Sequence, residues 1–127
     1  MAAKRSTPRK ELRAFCAQLR RAHIEPDRII LFGSWARGQQ RENSDIDVIV
    51  VSRDFARIGF RRRLEILGIT AGRAWVSVQA LGYTPREFAA PEETSFLAIA
   101  LAQKTVEVPV PRARAITKTG PLPRNGP

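Results

Sequence analysis

Cysteine is nearly absent from this sequence, in which Cys16 is the single example among 127 residues. One cysteine cannot form an intramolecular disulfide, and it cannot build a cysteine cluster around a metal ion. We expect Cys16 to fill the core and the chain to occupy a reduced, cytoplasmic setting. Histidine is equally scarce, because His23 has no histidine or cysteine companion. His23 is therefore predicted to cap a helix end rather than to ligate a metal.

Long hydrophobic runs are also missing. The longest helix-like apolar run, at residues 96–102, is far shorter than the ~20 residues that a membrane span requires. Residues 1–5 lack the apolar region of a signal peptide, so we expect none. The composition, 43% hydrophobic and 27% charged, is typical of a globular protein. The length predicts a single domain with one modest core. The lack of a long apolar run predicts no membrane contact.

Acidic residues are absent from both ends of the sequence. Residues 1–10 and 108–127 each carry four cations and no acid, so the net charge of +10 leaves only +2 for residues 11–107. Two explanations stay open: the charge serves solubility, or it makes weak contacts with nucleic acid. We predict a disordered basic segment at 1–6, a folded domain at 7–108 and a proline-rich basic tail at 109–127.

The middle of the chain contains a strand followed by a glycine-serine turn. The β-branched and aromatic run at residues 29–32 predicts a buried strand, and Gly33-Ser34 ends it. Ser34 is predicted to cap a short helix through Arg37. Glycine at position 33 has no Cβ, so a phosphate can approach the backbone. The N–H groups at the helix start would point at that phosphate.

A second apolar run begins with Asp45-Ile46-Asp47. Because strand side chains alternate between faces, both carboxylates are predicted to project on the same side, where they repel each other unless a cation lies between them. Mg²⁺ is such a cation, since it prefers one or two carboxylates together with substrate phosphates. The turn and the carboxylate pair together predict phosphoryl or nucleotidyl transfer. A plain polar strand start after Asn43-Ser44 is the alternative.

The remaining periodicities predict helices and strands around these two runs. The predicted elements are a helix from Thr7-Pro8, a helix at 60–70 that ends at Gly68 and Gly72, a strand at 75–81, a short helix at 84–88, a helix opened by Pro91-Glu92-Glu93, and an edge strand at 106–108. This order predicts an α/β (α+β) fold, in which helices flank a small mixed β-sheet.

The motifs Gly33-Ser34, Ala36-Arg37-Gly38 and Ser44-Asp45-Ile46-Asp47 resemble the signature of the minimal nucleotidyltransferases, which belong to the DNA polymerase beta-like nucleotidyltransferase superfamily. The resemblance covers roughly residues 25–108. It implies the nucleotidyltransferase fold, with Asp45 and Asp47 as catalytic metal ligands and with Gly33, Ser34 and Arg37 as nucleotide contacts. It also implies Mg²⁺ or Mn²⁺ as cofactor and an NTP, above all ATP, as substrate.

The resemblance also implies a third carboxylate, which would join the Asp45 and Asp47 pair. Counting back from Tyr83-Thr84-Pro85, the matching position is Gln79. A glutamine amide brings no charge and cannot accept a proton at neutral pH. A second metal ion should then bind less well, and general-base assistance would be lost. Glu87 or Asp54 would compensate if either reached the cleft.

Two functions from different classes follow from these expectations. The first is transfer of an NMP unit from an NTP to a hydroxyl acceptor. The acceptor would be a partner protein, RNA or a small molecule, and the resemblance points to a protein, often beside a helical toxin-like partner in a toxin–antitoxin pair. The second is a catalytically inactive relative that serves as a nucleotide-binding or partner-binding (antitoxin-like) module, which Gln79 favours. A homodimer is a further expectation.

Three side-chain roles have alternatives. Trp35 would stack on a base or pack on the sheet. Arg37 would meet phosphate or pair with a carboxylate such as Glu42. The cluster Arg61-Arg62-Arg63 would form a solvated helix face or contact a substrate phosphate or a partner.

Overall fold

The computed structural model describes residues 7–112, so the predicted segment 1–6 and most of the predicted tail lie outside the described residues. The elements are α1 (Arg9–Arg21), β1 (Arg28–Phe32), α2 (Gly33–Arg37), β2 (Ile46–Val51), α3 (Phe60–Ala74), β3 (Val78–Tyr83), α4 (Pro85–Ala89), α5 (Phe96–Leu101) and β4 (Val106–Val108), with a 3₁₀ turn at Arg53–Phe55 between β2 and α3.

The four strands form one mixed sheet in the order β3-β2-β1-β4. Strand β1 is antiparallel to both β2 and β4, whereas β2 and β3 are parallel and are connected through α3. The predicted fold class is therefore confirmed. In this register Phe32 lies opposite Asp47, and Asp47 lies opposite Gln79. The start of β2 and the start of β3 thus meet at the end of β1.

Helices cover both faces of the sheet. On one face, the buried side chains of α1 and α3 pack against the even-numbered positions of β2, including Val48 and Val50. On the other face, Leu97 and Ala100 of α5 pack against Ile49 and Val51. Cys16 belongs to the first face, where burial raises the pKa of its thiol to about 12. A thiol with this pKa stays protonated and unreactive, as core filler should.

Two predicted boundaries around α3 are wrong. The helix does not end at Gly68 and Gly72 but continues through both glycines to Ala74, because Leu67 and Ala71 keep facing the core. Trp75 then ends the helix in the left-handed conformation, with φ 58°. Strand β3 therefore begins at Val78 rather than at Trp75.

Two predicted helix starts also differ from the structure. Ser34 does not cap α2, since the helix begins at Gly33 and Phe32 is its N-cap residue, without a side-chain cap. Helix α5 does not open at Pro91 but at Phe96, after Ser95 accepts a hydrogen bond from the Ala98 N–H. His23 does close the end of α1, as predicted: it has φ 65°, and its backbone N–H donates to the Arg20 carbonyl at 3.0 Å. No helix among residues 7–112 is long and apolar enough to cross a membrane.

Candidate active site

The site begins with Asp45 and Asp47 at the start of β2. Asp47 is opposite Phe32 and shares its face of the sheet with Ile49, so both carboxylates lie on the α5 side. Asp45 is exposed, and Asp47 is partly buried. Burial raises the pKa of Asp47 above its ordinary value, and the charge of Asp45 adds to this, whereas Arg37 opposes it. The structure thus brings the predicted pair together, and a cation bound between the two carboxylates would relieve their repulsion.

Gly33 makes a close approach to Asp47. It has φ 70°, and a Cβ added there would lie only 3.2 Å from the Asp47 Cγ and closer still to Oδ2. Any other residue would both strain the backbone and displace the carboxylate. Glycine at this position is therefore required by Asp47 itself, a reason that the sequence did not suggest.

Gln79 reaches the carboxylate pair from β3. Its Nε2 donates a hydrogen bond to Asp45 Oδ2 at 2.9 Å. Ser77, two residues earlier on the same face, donates its hydroxyl to Asp45 Oδ1. Both oxygens of Asp45 are thus held by neutral donors. Sequence reasoning missed Ser77, although its spacing of two from Gln79 could have identified it.

Neither acid proposed as a substitute reaches this cleft. Glu87 accepts hydrogen bonds from Arg63 Nη1 at 2.7 Å and from the Thr84 N–H at 2.8 Å. The Arg63 hydrogen bond is the main reason that the pKa of Glu87 is lowered. Asp54 accepts a hydrogen bond from the Glu25 N–H at 2.8 Å. Among residues 7–112, no group of three His, Cys, Asp or Glu side chains could hold a metal ion.

Arg63 is neither a solvated cation nor a phosphate ligand. It is buried, and its guanidinium donates to the carbonyls of Phe55, Ile58 and Gly82 at 3.0, 2.7 and 3.1 Å. It therefore ties the turn after β2 to β3 and, through Glu87, to α4. Both sequence alternatives were wrong for Arg63, because neither considered a buried arginine. Arg61 and Arg62 do lie on an exposed helix face.

Arg37 and Trp35 project from α2. Arg37 is exposed, and its Nε donates to Gln39 Oε1 at 3.1 Å. No ion pair joins it to Glu42 in the part of the chain that the structure describes. Trp35 is partly buried against the core under α1 and α3, so it packs on the sheet. Arg37 is the cation of α2 that remains accessible beside the carboxylates.

A cleft of about 410 Å³ lies beside Asp47 and Gln79. Apolar side chains from three elements, Phe32, Leu64 and Phe96, form its walls. This volume lies within the ~300–1,000 Å³ of ordinary ligand pockets. Its polar lining side chains are Asp47 and Gln79, which pair in the sheet register, so the polar end of the cleft lies near the start of β2 and β3.

The donor set at that end fits one Mg²⁺ ion. Asp45 and Asp47 supply two carboxylates, and Mg²⁺ usually completes its shell with water and substrate phosphates. Each Asp45 oxygen already accepts one hydrogen bond, and it keeps a free lone pair. Two negative charges are sufficient for one divalent ion, whereas a second ion would have to share the same two carboxylates and would bind less well.

Three comparisons relate this chain to known proteins. A family model described as "Nucleotidyltransferase domain" matches residues 9–112. A crystal structure described as that of a candidate nucleotidyltransferase from Sulfolobus solfataricus is similar, at 18% identity and a TM-score of 0.48, over 61% of this chain and 68% of that one. The search of curated proteins found no match. The family match spans every element from α1 to β4.

Proposed function

Because this chain belongs to the nucleotidyltransferase domain family, we propose that it transfers an NMP unit from an NTP to a hydroxyl acceptor at Asp45 and Asp47. The observation that carries the proposal is the pair itself: two carboxylates lie on one face of β2, beside a cleft, and Gly33 leaves room for one of them. A polar strand start would need neither the glycine nor the two donors on Asp45.

The proposed reaction breaks one bond and forms another. The acceptor oxygen attacks the α-phosphorus, the bond from that phosphorus to the bridging oxygen breaks, and pyrophosphate leaves with the electron pair. A bound Mg²⁺ ion would neutralise phosphate charge. Asp45 and Asp47 would hold that ion, and Arg37 would contact the phosphates. Gly33 and Ser34 would line the phosphate side.

Gln79 and Ser77 are proposed as positioning residues. They hold both oxygens of Asp45, so the carboxylate keeps its orientation without a third charge nearby. Gln79 cannot accept the proton of the acceptor hydroxyl, so that proton goes to water. General-base assistance typically contributes ~10²–10⁴ in rate, and its absence predicts a slow enzyme.

The finer parts of the proposal are supported by the family resemblance alone. They are ATP as the NTP, a partner protein as the hydroxyl acceptor, and a helical toxin-like protein as that partner. A second candidate function is a nucleotide-binding or partner-binding module without catalysis. The observation that favours it is that neither Glu87 nor Asp54 replaces the missing carboxylate.

The test is a turnover assay with α-labelled NTPs, Mg²⁺ or Mn²⁺ and candidate protein, RNA and small-molecule acceptors. We expect label transfer and pyrophosphate release from the wild type and neither from Asp45→Asn. Glu93→Gln, which changes an exposed acid that does not line the cleft, is the matched control and should keep full activity. NTP binding without pyrophosphate release would support the nucleotide-binding module, and no NTP binding at all would reject both nucleotidyl transfer and nucleotide binding, leaving only the partner-binding module.

A further inference from the structure

Strand β3 is one edge of the sheet, and part of its backbone points away from every other strand. The Ser77 carbonyl accepts a hydrogen bond from the Ile46 N–H at 2.9 Å, so the odd-numbered residues of β3 direct their backbone groups at β2. Successive residues of a strand alternate in this direction. Val78 and Ala80 therefore direct their N–H and C=O groups outward. Among residues 7–112, no hydrogen bond reaches these outward groups.

The two edges of the sheet differ in how they are protected. Strand β4 has only three residues, and Pro109 and Pro111 follow it. Short strands and prolines are usual devices that prevent another strand from pairing with an edge. Strand β3 has six residues without a proline or a charge. Its far end is closed by Arg63, whose Nη1 donates to the Gly82 carbonyl at 3.1 Å. The unprotected part of the edge is therefore the first half of β3.

The cleft of about 410 Å³ follows this same part of the edge. Four consecutive residues of β3, 78–81, line it, so the cleft runs along the strand backbone. Leu64 and Gly68 of α3 form its wall toward one face of the sheet, and Phe96 of α5 belongs to its wall toward the other. Leu64 is 40% exposed and Phe96 is 51% exposed. Two exposed apolar walls suit a ligand with apolar groups on both of its sides.

We infer that this edge binds an extended segment of another protein as an added strand of the sheet. An extended polypeptide repeats its backbone donors and acceptors every two residues, as the outward groups of Val78 and Ala80 do. Its side chains alternate between two faces, and the cleft offers one apolar wall to each. Backbone pairing of this kind gives affinity, and the pockets beside it give side-chain preference.

The chemistry of the cleft describes the segment that it binds. Asp47 is the only charged side chain among the described residues that line the cleft, so the segment is expected to be apolar and rich in β-branched residues. The added strand would lie two strand spacings, or about 10 Å, from β2 and its carboxylates. The inference does not depend on nucleotidyl transfer, because it uses the backbone of β3 and no metal.

A second copy of this chain is a poorer occupant of the edge. Its own β3 lies between the same two helical walls, so Leu64 and Phe96 of one copy would meet the walls of the other as the strands approached. Paired strands must come within about 4.8 Å of each other. An extended segment without flanking helices reaches that distance unobstructed.

The experiment combines hydrogen exchange with peptide binding, using the full chain without nucleotide. The Ala80 N–H should exchange about tenfold or more faster than the Leu81 N–H, which pairs with β2. Peptides of about ten residues are selected from a random display library on the wild type. Fluorescence anisotropy then measures their affinity, and a bound peptide should slow the exchange of the Ala80 N–H. N-methylation of alternate peptide amides should abolish binding, because it removes the backbone donors.

Two variants obstruct the edge in different ways. Ala80→Pro removes the outward N–H and leaves the β2 ladder intact, since an edge strand tolerates proline where the N–H faces away from the sheet. Gly68→Phe fills the cleft from α3, where an added Cβ would meet nothing within 4 Å. The control Ile69→Phe places the same ring on the next residue, which lines a separate cavity. Each test variant should bind the selected peptides at least about tenfold more weakly, and the control should stay within about threefold.

Several results would overturn the inference. They are a library that yields no binding peptide, peptides that bind both test variants as tightly as the wild type, or an Ala80 N–H that exchanges as slowly as that of Leu81. A dimer that Ala80→Pro converts to monomers would assign the edge to a second copy instead. If Ala80→Pro does not fold, Gly68→Phe and the methylated peptides decide the question. None of these results bears on nucleotidyl transfer, since no nucleotide is present.

Discussion

The side-chain amide of Gln79 donates a hydrogen bond to Asp45 Oδ2 at 2.9 Å. A neutral group on β3 therefore holds the first carboxylate of β2 at the position where resemblance implied a third carboxylate. This one relationship bears on both proposed functions, because it decides the charge of the site and the fate of the acceptor proton.

Gln79→Asp should therefore change both stability and activity. Without metal, three carboxylates would repel one another, so the melting temperature should fall; with millimolar Mg²⁺ it should recover. NTP turnover should rise by about 10²-fold, since the new carboxylate can accept a proton. Scanning calorimetry with and without Mg²⁺, beside the turnover assay, measures both effects.

The control for this variant is Gln103→Asp, which adds the same charge at an exposed position after α5. It should change neither property. Turnover that falls in Gln79→Asp would show that the amide itself is needed, and an unchanged apo melting temperature would show that the three side chains do not interact.

Asp47→Asn should stabilise the protein without metal and weaken metal-dependent NTP binding. The folded pKa of Asp47 is raised, so ionisation in the folded state is disfavoured and stability is lost as pH rises through that pKa. Asparagine does not ionise, so Asp47→Asn does not lose stability in this way as the pH rises. It should match the wild type at pH values well below about 4 and exceed its stability at neutral pH, as urea denaturation across pH would measure.

Calorimetric titration of the same variant with Mn²⁺ and NTP should show at least tenfold weaker binding, or about 1.4 kcal/mol. Glu93→Gln serves again as the control. Unchanged affinity in Asp47→Asn would refute the metal-site proposal.

Arg63→Met should be among the most destabilising substitutions in the chain. It removes a buried guanidinium and leaves three carbonyls and Glu87 without their partner. Breaking such a network costs about 3 kcal/mol or more. Arg62→Met is the matched control, because Arg62 pairs with Glu65 on the exposed face and such pairs contribute at most ~1 kcal/mol. Equal denaturation midpoints for the two variants would contradict the structure.

Gly68→Ala and Gly72→Ala should each stabilise α3. Both glycines are exposed inside the helix, and a Cβ at either position would meet nothing within 4 Å. Alanine should gain about 0.5 to 1 kcal/mol at each. Gly82→Ala is the opposite case, since its Cβ would lie 2.7 Å from the Phe55 ring. Thermal melting should therefore rise for the first two variants and fall for the third.

Local patterns in the sequence predicted the part of the site that one strand builds. The alternation of residues 45–51 places Asp45 and Asp47 on one face whatever surrounds them, and the same period of two places Gln79 on the matching face of β3. The strands β1, β2 and β4 were likewise visible as short apolar runs between turn residues. These features depend on neighbours in the chain, so a sequence contains them directly.

Only the tertiary structure decided which distant groups meet. The helix end at Ala74 depended on burial of Leu67 and Ala71, which outweighed the low helix propensity of two glycines. The burial of Arg63 depended on carbonyls from Phe55 and Gly82, and the contact of α1 with the segment after β4 depended on the hydrogen bond from Arg20 to the Pro111 carbonyl. Pairings of this kind join residues that lie far apart in the chain, and no local periodicity encodes them.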